Sequence, residues 1–553
     1  MALRNRQLAA LAFFIAMAVL HSWPLASDPS HLARLDNHDA ELNTWIIAWV
    51  AHQLPRDPLN LFEAPILYPE PHSLAFSEHM FVPAVMGAPL LWAGASPVLV
   101  YNILIMIGFA LSGWAMYLLM TRWTGSQWAG IIAGLLYGFN AHVLTRFVHL
   151  QAQHVEFFPL VLYAFDRVLV PSTALSATRL KDAVLLAAAF VLQALCSNYL
   201  LVFTTYALIA AALVRWRESV NSRVPLAIAA VISMVALAPF LWPYYQVDRD
   251  QHLARTADVV TQYNAGWRDY LATGGRLHYA WWSAKFYEGR TALFPGVAGI
   301  VLAGWAMAST RTRRDPRVRM VIAIGVVGAA FSFGTSLPGY AVLHGALPLL
   351  SGLRNVARWG WLVLAAIAIL AGFAVAAIEQ HFAKASASAK SAADSTVGRR
   401  SWTRAIPFAI CVVVTIEAIR TPVGYTRFNG IPRFYDRFAD EPAVVLAEFP
   451  FYAGANVSLN GPYVLANTRY FKPLLNGYSS FHPESFERRG RALNSFPSEV
   501  ALAELRVAHV THVVVHSQPF ARRYGAAALA AIDTIPELEF LAGEEGVRIY
   551  RLK

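Results

Sequence analysis

Charged residues are scarce in this chain of 553 residues: only 14% are Asp, Glu, Lys or Arg, whereas 57% are hydrophobic. A soluble protein of this size has no single core that could bury so many apolar side chains. Several apolar windows, such as residues 224–243 and 356–377, also reach the roughly 20 residues that a helix needs to cross a ~30 Å hydrocarbon layer. The sequence therefore predicts a multi-pass integral membrane protein.

Cysteine is rare as well, because the chain holds only Cys196 and Cys411, both within apolar runs. Buried free thiols explain them better than a disulfide does, and they form no zinc-binding cluster. The chain also lacks an excess of acid, since its formal net charge is +11. The basic residues fall in short segments between apolar runs, where the positive-inside rule expects them, so no nucleic-acid partner is predicted.

The apolar runs predict about 11 transmembrane helices. We interpret the first run as a membrane helix, because no Ala-x-Ala cleavage site follows it; a cleaved signal peptide is the alternative. Basic segments recur on one side of the predicted spans, which places the N-terminus in the cytoplasm and the C-terminus outside. The candidate spans are residues 7–24, 97–121, 127–141, 155–171, 182–197, 199–215, 224–244, 291–309, 318–335, 357–378 and 404–420.

Three stretches divide the chain into predicted domains. Residues 1–420 form the membrane domain, and residues 421–553 mix strand-like and helical patterns that are typical of a small extracytoplasmic α/β domain. The segment 383–403 is rich in Ala, Ser and Lys, which predicts a flexible cytoplasmic linker.

The first external loop, residues 25–96, is predicted to hold interfacial helices. Its run 40–53 places Trp45 and Trp49 one helical turn apart, and such an amphipathic pattern suits a helix that lies in the membrane interface. We therefore expect this loop to lie against the outer membrane surface.

Two acidic residues, Asp36 and Asp39, stand between the first predicted span and this run. Carboxylates three residues apart can converge where a chain enters a helix, and there they orient an acceptor hydroxyl or bind a cation. Ordinary capping of the helix N-terminus is the structural alternative.

A first membrane helix, a long external loop with an early acidic residue, and interfacial helices together resemble GT-C-type glycosyltransferases that use polyprenyl-phosphate sugars. Protein O-mannosyltransferases and aminoarabinose transferases belong to that group. Three strings look like those of bacterial GT-C-like proteins: Asp36-Asn37-His38-Asp39-Ala40-Glu41-Leu42-Asn43-Thr44-Trp45-Ile46, Leu67-Tyr68-Pro69-Glu70-Pro71 and Phe76-Ser77-Glu78-His79.

The resemblance implies that Asp36 or Asp39 positions or deprotonates the acceptor. Glu78 is a further catalytic candidate, because it lies in a family-like string beside the external surface. His79, His149 and His154 are candidates for hydrogen bonds to substrate, with polar packing at the interface as the alternative. The histidine spacings match no familiar zinc pattern, so metal ligands stay unknown and a divalent cation stays an open question.

Arg354 and Arg358 stand four residues apart at the outer start of a strong span. On one helical face, two planar guanidinium groups suit a lipid phosphate or diphosphate, and the GT-C resemblance favours this donor-binding role. The alternative is that both side chains extend toward lipid headgroups without binding substrate.

The sequence thus predicts a mainly α, GT-C-like polytopic membrane helix bundle with a small C-terminal α/β domain. Through the resemblance, it predicts a transferase of the bacterial inner membrane that moves a sugar from a polyprenyl-linked donor to an envelope glycan, lipid or protein. The expected partners are that donor, membrane lipids and the acceptor, and no cofactor is assigned. A transporter or flippase, with polar sites near the bilayer midplane, and a noncatalytic envelope-assembly scaffold are the alternatives.

Overall fold

A computed structural model describes residues 2–34, 38–170, 177–251, 257–289, 291–347, 349–389, 396–544 and 546–553. The described chain is mainly helical, with a small sheet near its C-terminus. It divides into two compact units that are each discontinuous in sequence. Unit 1 comprises Met1–Ser27, Ile103–Pro239 and Ala254–Val423, and unit 2 comprises Asp28–Asn102, Phe240–Leu253 and Gly424–Lys553.

The helices follow one another through most of the chain, with short 3₁₀ turns between several of them. In chain order they are Ala2–Ser22, Asp39–Gln53, Phe81–Trp92, Pro97–Thr124, Gln127–Gly138, Ala141–Thr145, Phe157–Val168, Ala177–Ala194, Asn198–Val214, Trp216–Asn221, Arg223–Gln251, Ala257–Thr261, Arg276–Trp281, Val297–Ala308, Thr310–Arg313, Pro316–Ser332, Tyr340–Ala346, Gly360–Ala389, Thr396–Ala418, Arg437–Asp440, Gly461–Ala466, Glu484–Leu493, Glu499–Val507, Ser517–Tyr524 and Ala526–Ala531.

Four described helical segments are long and apolar enough to cross a membrane by length and composition. They are Pro97–Thr124, Gln127–Thr145, Arg223–Gln251 and Val356–Phe382. Each overlaps a predicted span, whereas the total of about 11 spans stays a prediction. In Arg223–Gln251, apolar side chains such as Met234 and Val235 are exposed, as contact with lipid requires.

Side-chain caps fix where several of these helices begin. The Ser126 hydroxyl accepts a hydrogen bond from the Ala129 N–H, and the Asp315 carboxylate accepts one from the Arg317 N–H. Pro316 follows Asp315 at the first helical position, where its missing N–H costs no hydrogen bond. These polar caps separate apolar runs that would otherwise read as continuous.

The domain division differs from the predicted one, because the early loop clusters with the C-terminal region in unit 2. Helices Gly360–Ala389 and Thr396–Ala418 extend into the predicted linker 383–403 from both sides, and residues 390–395 lie outside the described residues. How the linker behaves stays a prediction.

A buried ion network joins helix ends within unit 1. The Asp166 carboxylate accepts hydrogen bonds from Arg215 Nη1 at 2.6 Å and from Arg317 Nε at 2.8 Å. Arg215 also pairs with Glu218, and the Arg317 guanidinium lies 5.5 Å from the centre of the Trp123 ring. Two arginines that are far apart in sequence thus share one buried carboxylate.

Asp166→Ala should lower the stability of unit 1 strongly. Among the described ion pairs, removing Asp166 takes away the carboxylate of Arg317 and leaves Arg215 with Glu218 alone, and breaking a buried ion pair costs about 3–5 kcal/mol. Thermal unfolding in detergent should show a lower midpoint. Asp250→Asn is the control, because Asp250 pairs only with the exposed Arg249 among the described residues; equal midpoints for the two variants would contradict the prediction.

The sheet of unit 2 confirms the predicted C-terminal strands. The described residues form six strands: β1 (Leu32–Ala33), β2 (Thr426–Arg427), β3 (Leu446–Phe449), β4 (His512–His516), β5 (Leu538–Glu544) and β6 (Val547–Leu552). β1 and β2 pair antiparallel, whereas the other four form one sheet in the order β3-β4-β6-β5. β3 and β4 are parallel and nearly wholly buried, and β5 and β6 form an antiparallel hairpin.

Helix Asp39–Gln53 is buried in unit 2 instead of presenting an apolar face to lipid. Every residue from Ala40 to Ala51 is buried. The Trp45 Nε1 donates to Asn467 Oδ1 at 3.1 Å, and the Trp49 Nε1 donates to the Leu61 carbonyl at 2.9 Å. The indole N–H groups therefore find partners inside the protein, which explains both tryptophans without the predicted membrane interface.

Candidate functional site

Asp39 begins this buried helix and contacts a segment far along the chain. The Tyr478 hydroxyl donates a hydrogen bond to Asp39 Oδ1. Within unit 2, Tyr101 hydrogen-bonds to Asn43 and lies within electrostatic range of both Asp39 and Arg34. The carboxylate is therefore half-buried among tyrosine, amide and guanidinium groups. Asp36, the other candidate of this pair, lies outside the described residues.

The segment that carries Tyr478 is held by backbone hydrogen bonds to the second family-like string. The Leu67 N–H donates to the Asn476 carbonyl, and the Tyr68 N–H donates to the Leu474 carbonyl, both at 3.1 Å. At Gly477, a Cβ atom would lie 2.3 Å from Leu67 Cγ, so only glycine permits this approach. These contacts place Tyr478 where it reaches Asp39.

Glu78 stands beside the same segment. The Ser480 hydroxyl donates to the Phe76 carbonyl at 2.6 Å, and the Tyr244 hydroxyl donates to the Ser77 carbonyl at 2.7 Å. Glu78 itself is half-buried. The structure thus brings Asp39 and the Glu78 string to one segment of the tail, and the catalytic roles of both stay predictions.

His79 lies in an aromatic environment within unit 2. Its ring contacts those of Phe62, Phe240 and Tyr244, and its Nδ1 accepts a hydrogen bond from the Phe81 N–H at 3.1 Å. Burial lowers the pKa of His79 to about 4, so the ring is neutral at pH 7. This position suits packing, and a contact with substrate stays a prediction.

His38 and Glu41 form a pair next to Asp39 that the sequence did not single out. His38 Nδ1 lies 2.7 Å from Glu41 Oε2, with side-chain exposures of 25% and 6%. The hydrogen bond to Glu41 raises the pKa of His38, and burial raises the pKa of Glu41. In the sequence, the pair is visible only as a His and a Glu at i, i+3 spacing near a predicted helix start. Such spacing is common, so it does not by itself indicate a functional pair.

The remaining histidine candidates lie in unit 1. His154 is fully buried, and its Nδ1 lies 2.9 Å from Glu156 Oε1. His149 lies within electrostatic range of His142, together with Arg146 and Arg358. The structure thus gathers His149 and Arg358 around His142, whereas His154 pairs with Glu156.

Arg354 and Arg358 do not share a helical face, which corrects the sequence-based geometry. Arg354 precedes the 3₁₀ turn Val356–Trp359 that contains Arg358, and the long helix begins only at Gly360. Each guanidinium instead lies over a tyrosine ring, Arg354 over Tyr263 at 5.2 Å and Arg358 over Tyr199 at 4.5 Å. The two guanidinium groups therefore contact different tyrosine rings through separate cation–π contacts.

Metal ligation was left open by the sequence. Within the residues that the structure describes, no three His, Cys, Asp or Glu side chains gather as a metal site would need. The side chains described above can donate and accept hydrogen bonds, transfer protons and supply positive charge.

The chain is similar to solved structures of AglB and of ArnT. One is the archaeal oligosaccharyltransferase AglB from Archaeoglobus fulgidus in complex with an inhibitory peptide and a dolichol-phosphate. The alignment covers 99% of this chain and 74% of the AglB chain, at 11% identity and a TM-score of 0.48. The alignment with ArnT from Cupriavidus metallidurans bound to undecaprenyl phosphate covers 98% of this chain and 97% of the ArnT chain, at 12% identity and a TM-score of 0.48. The apo form of that ArnT gives 14% identity and a TM-score of 0.45. No family model and no curated protein matches the chain.

Proposed function

We propose that this protein is a membrane glycosyltransferase that moves a sugar from a polyprenyl-phosphate-linked donor to an envelope acceptor on the extracytoplasmic face. The observation that carries the proposal is the Asp39 carboxylate, held by the Tyr478 hydroxyl at the start of a buried helix. All three strings that resemble GT-C proteins belong to unit 2, which contains this carboxylate.

The acceptor side of the reaction needs a group that orients a hydroxyl and a group that receives its proton. A carboxylate can accept several hydrogen bonds at once, so an Asp39 that accepts from Tyr478 can also accept from an acceptor hydroxyl. Glu78 is the second carboxylate that we propose on this side. Asp36 stays a candidate for the same orienting role.

The donor side needs positive charge where the leaving phosphate develops negative charge. In unit 1, Arg358 and Arg146 lie around His142 together with His149, which gives one neighbourhood several cationic and hydrogen-bonding groups. We propose that Arg358 binds the lipid phosphate in this neighbourhood and that Arg354 supplies a second guanidinium group to the same phosphate. Departure of a polyprenyl phosphate, with attack from the opposite side of the sugar, would invert the anomeric carbon.

The proposed orientation places the C-terminal tail outside the cytoplasm and the basic segment near Arg311 inside. Both Val500 and Arg311 are exposed, so a cysteine at either position should react readily. An impermeant maleimide should label Val500→Cys in intact cells and Arg311→Cys only after the inner membrane is permeabilised. The reverse pattern would overturn the orientation and move the proposed acceptor side to the cytoplasm.

Deletion of the gene tests the proposed reaction as a whole. We expect one polyprenyl-linked sugar to accumulate and one envelope glycan to disappear, and mass spectrometry of the lipid and glycan fractions would identify both. Expression of the unaltered chain should reverse both changes. Unchanged lipid-linked sugars and glycans would contradict the transferase proposal, whereas accumulation of a lipid on one leaflet alone would favour a flippase.

A further inference from the structure

The pair formed by His38 and Glu41 has the geometry of a proton acceptor and the group that orients it. A carboxylate accepts hydrogen bonds, so Glu41 Oε2 at 2.7 Å from His38 Nδ1 places the ring proton of neutral His38 on Nδ1. The lone pair of the ring is then on Nε2. The Glu41 side chain is nearly buried and the His38 side chain is partly exposed. The Glu41 carboxylate therefore lies inside the protein, whereas the His38 ring reaches the surface.

We infer that His38 takes the proton from the acceptor hydroxyl, that Glu41 positions its ring, and that Asp39 orients the hydroxyl. This inference rests on the proposed function and assigns the proton acceptor at the same site. His38 and Asp39 thereby share the two tasks that the GT-C resemblance assigns to one carboxylate.

Helix Gly461–Ala466 confines the pair. A Cβ atom on Gly461 would lie 2.2 Å from Glu41 Oε2 and 2.9 Å from His38 Cβ. Because residue 461 has no side chain, the Glu41 carboxylate lies directly against this backbone. Glu41 also lies in the first turn of helix Asp39–Gln53, where the helix dipole favours a negative charge.

The charges around His38 make it a stronger base than an isolated imidazole. Glu41 and Asp39, both from its own helix, are the charged groups that act on it, and Gly461 of the facing helix carries none. Together they raise the pKa of His38 above its ordinary value of 6.5. A base whose pKa lies near the working pH is well suited to general base catalysis.

The transfer step balances with these residues. The acceptor oxygen attacks the anomeric carbon and forms the new glycosidic bond, while the bond from that carbon to the phosphate oxygen breaks and its electron pair leaves with the polyprenyl phosphate. The acceptor proton passes to His38 Nε2. The resulting imidazolium is stabilised by the Glu41 carboxylate and returns its proton to water.

The chain contains a matched control for this pair. His31 and Asp28 have the same i, i+3 spacing and an Nδ1 to Oδ1 distance of 2.8 Å, but their side chains are 54% and 45% exposed. This pair has the same chemical groups without the buried carboxylate. Its substitution should leave transfer unchanged.

The test compares His38→Gln and Glu41→Gln with His31→Gln and Asp28→Asn in nanodiscs. Undecaprenyl-phosphate-linked hexoses serve as donors, and membranes of the deletion strain supply the acceptor. The release of undecaprenyl phosphate is measured from about pH 5 to about 9, the range in which His titrates, and gives kcat at each pH. For the unaltered chain, kcat should rise with pH as His38 loses its proton. His38→Gln should lower kcat by about 100-fold and remove that rise. Glu41→Gln should lower kcat less and move the rise to lower pH, because it lowers the pKa of His38.

A second measurement needs no substitution at His38. Diethyl pyrocarbonate reacts with neutral imidazole, and peptide mass spectrometry can follow its reaction at His38 and His31 as the pH changes. The midpoint at His38 should lie above the ordinary imidazole pKa of 6.5, and hydroxylamine should restore kcat as it removes the group from His38.

Two results separate the inference from the proposed function. If the unaltered chain turns over a donor and His38→Gln keeps its rate and pH profile, His38 is not the proton acceptor and the inference alone is overturned. If the unaltered chain turns over none of the donors, the proposed function is overturned and the inference falls with it.

Discussion

Replacing Asp39 with Asn should reduce glycosyl transfer by about 100-fold or more, because the carboxylate is proposed to orient the acceptor hydroxyl and misplacing a reacting group lowers rates by about this factor. Asn keeps the shape of the side chain and its ability to begin a helix. It loses the negative charge that accepts a hydrogen bond from Tyr478 and, in the proposal, from the acceptor hydroxyl. The measurement is restoration of the missing glycan in the deletion strain, with protein abundance measured in the same membranes.

Asp57→Asn is the matched control, since Asp57 is a loop carboxylate that accepts a hydrogen bond from Asn60 in an exposed position. It should restore the glycan fully. Tyr478→Phe should give an intermediate loss, because the carboxylate stays but loses a donor that fixes its direction. This order of effects distinguishes a catalytic carboxylate from a helix cap, which would not depend on Tyr478.

Asp36 is tested in the same series because the sequence does not distinguish it from Asp39 as the carboxylate that positions the acceptor. Full activity in Asp39→Asn, Asp36→Asn and the double variant would rule out an early-loop carboxylate mechanism. Loss of protein abundance, in place of loss of activity, would favour the structural cap.

Replacing both Arg354 and Arg358 with Gln should weaken binding of undecaprenyl phosphate by about 100-fold or more, since charge-assisted hydrogen bonds contribute about 1.5–3 kcal/mol each. Both guanidinium groups lie over tyrosine rings, which limits their motion before a phosphate arrives. Native mass spectrometry of purified protein titrated with the lipid would measure the change. Lys at both positions should restore only part of the affinity, because an ammonium lacks the planar fork.

Arg268→Gln is the control for this pair. Its guanidinium lies 5.7 Å from the centre of the Phe286 ring and so makes the same kind of contact, but in a segment to which no donor role is assigned. Lipid affinity should not change in this variant. Unchanged affinity in the double Arg354 and Arg358 variant would instead leave only the alternative in which these side chains reach toward headgroups.

Much of the secondary structure could be predicted, because it follows from local patterns. The long apolar runs around Pro97–Thr124 and Val356–Phe382 are helices in the structure, as their length and composition require. Strands β3 and β4 and the hairpin of β5 and β6 also lie within residues 421–553, where the sequence predicted strand-like patterns. In each case residues near one another in sequence determine the element.

Trp45 and Trp49 show where local pattern fails. Their spacing predicted a helix, which is present, and also a membrane interface, which the burial of that helix does not support. The indole N–H groups donate hydrogen bonds to Asn467 and to the Leu61 carbonyl. The same sequence pattern would result if they donated hydrogen bonds to lipid headgroups. The partner of an amphipathic side chain is set by packing.

By itself the sequence determined that this is a mainly helical, membrane-type chain and that acidic residues crowd the start of its early loop, because composition and spacing are local properties. Only the tertiary structure decided which of those residues act together. Tyr478 and Asp39 are 439 positions apart and meet because Gly477 fits against Leu67. His38 and Glu41 have the same sequence spacing as Asp28 and His31, but only His38 and Glu41 lie against the backbone of Gly461. The burial of Glu41 there distinguishes the proposed proton-accepting pair from the exposed surface pair.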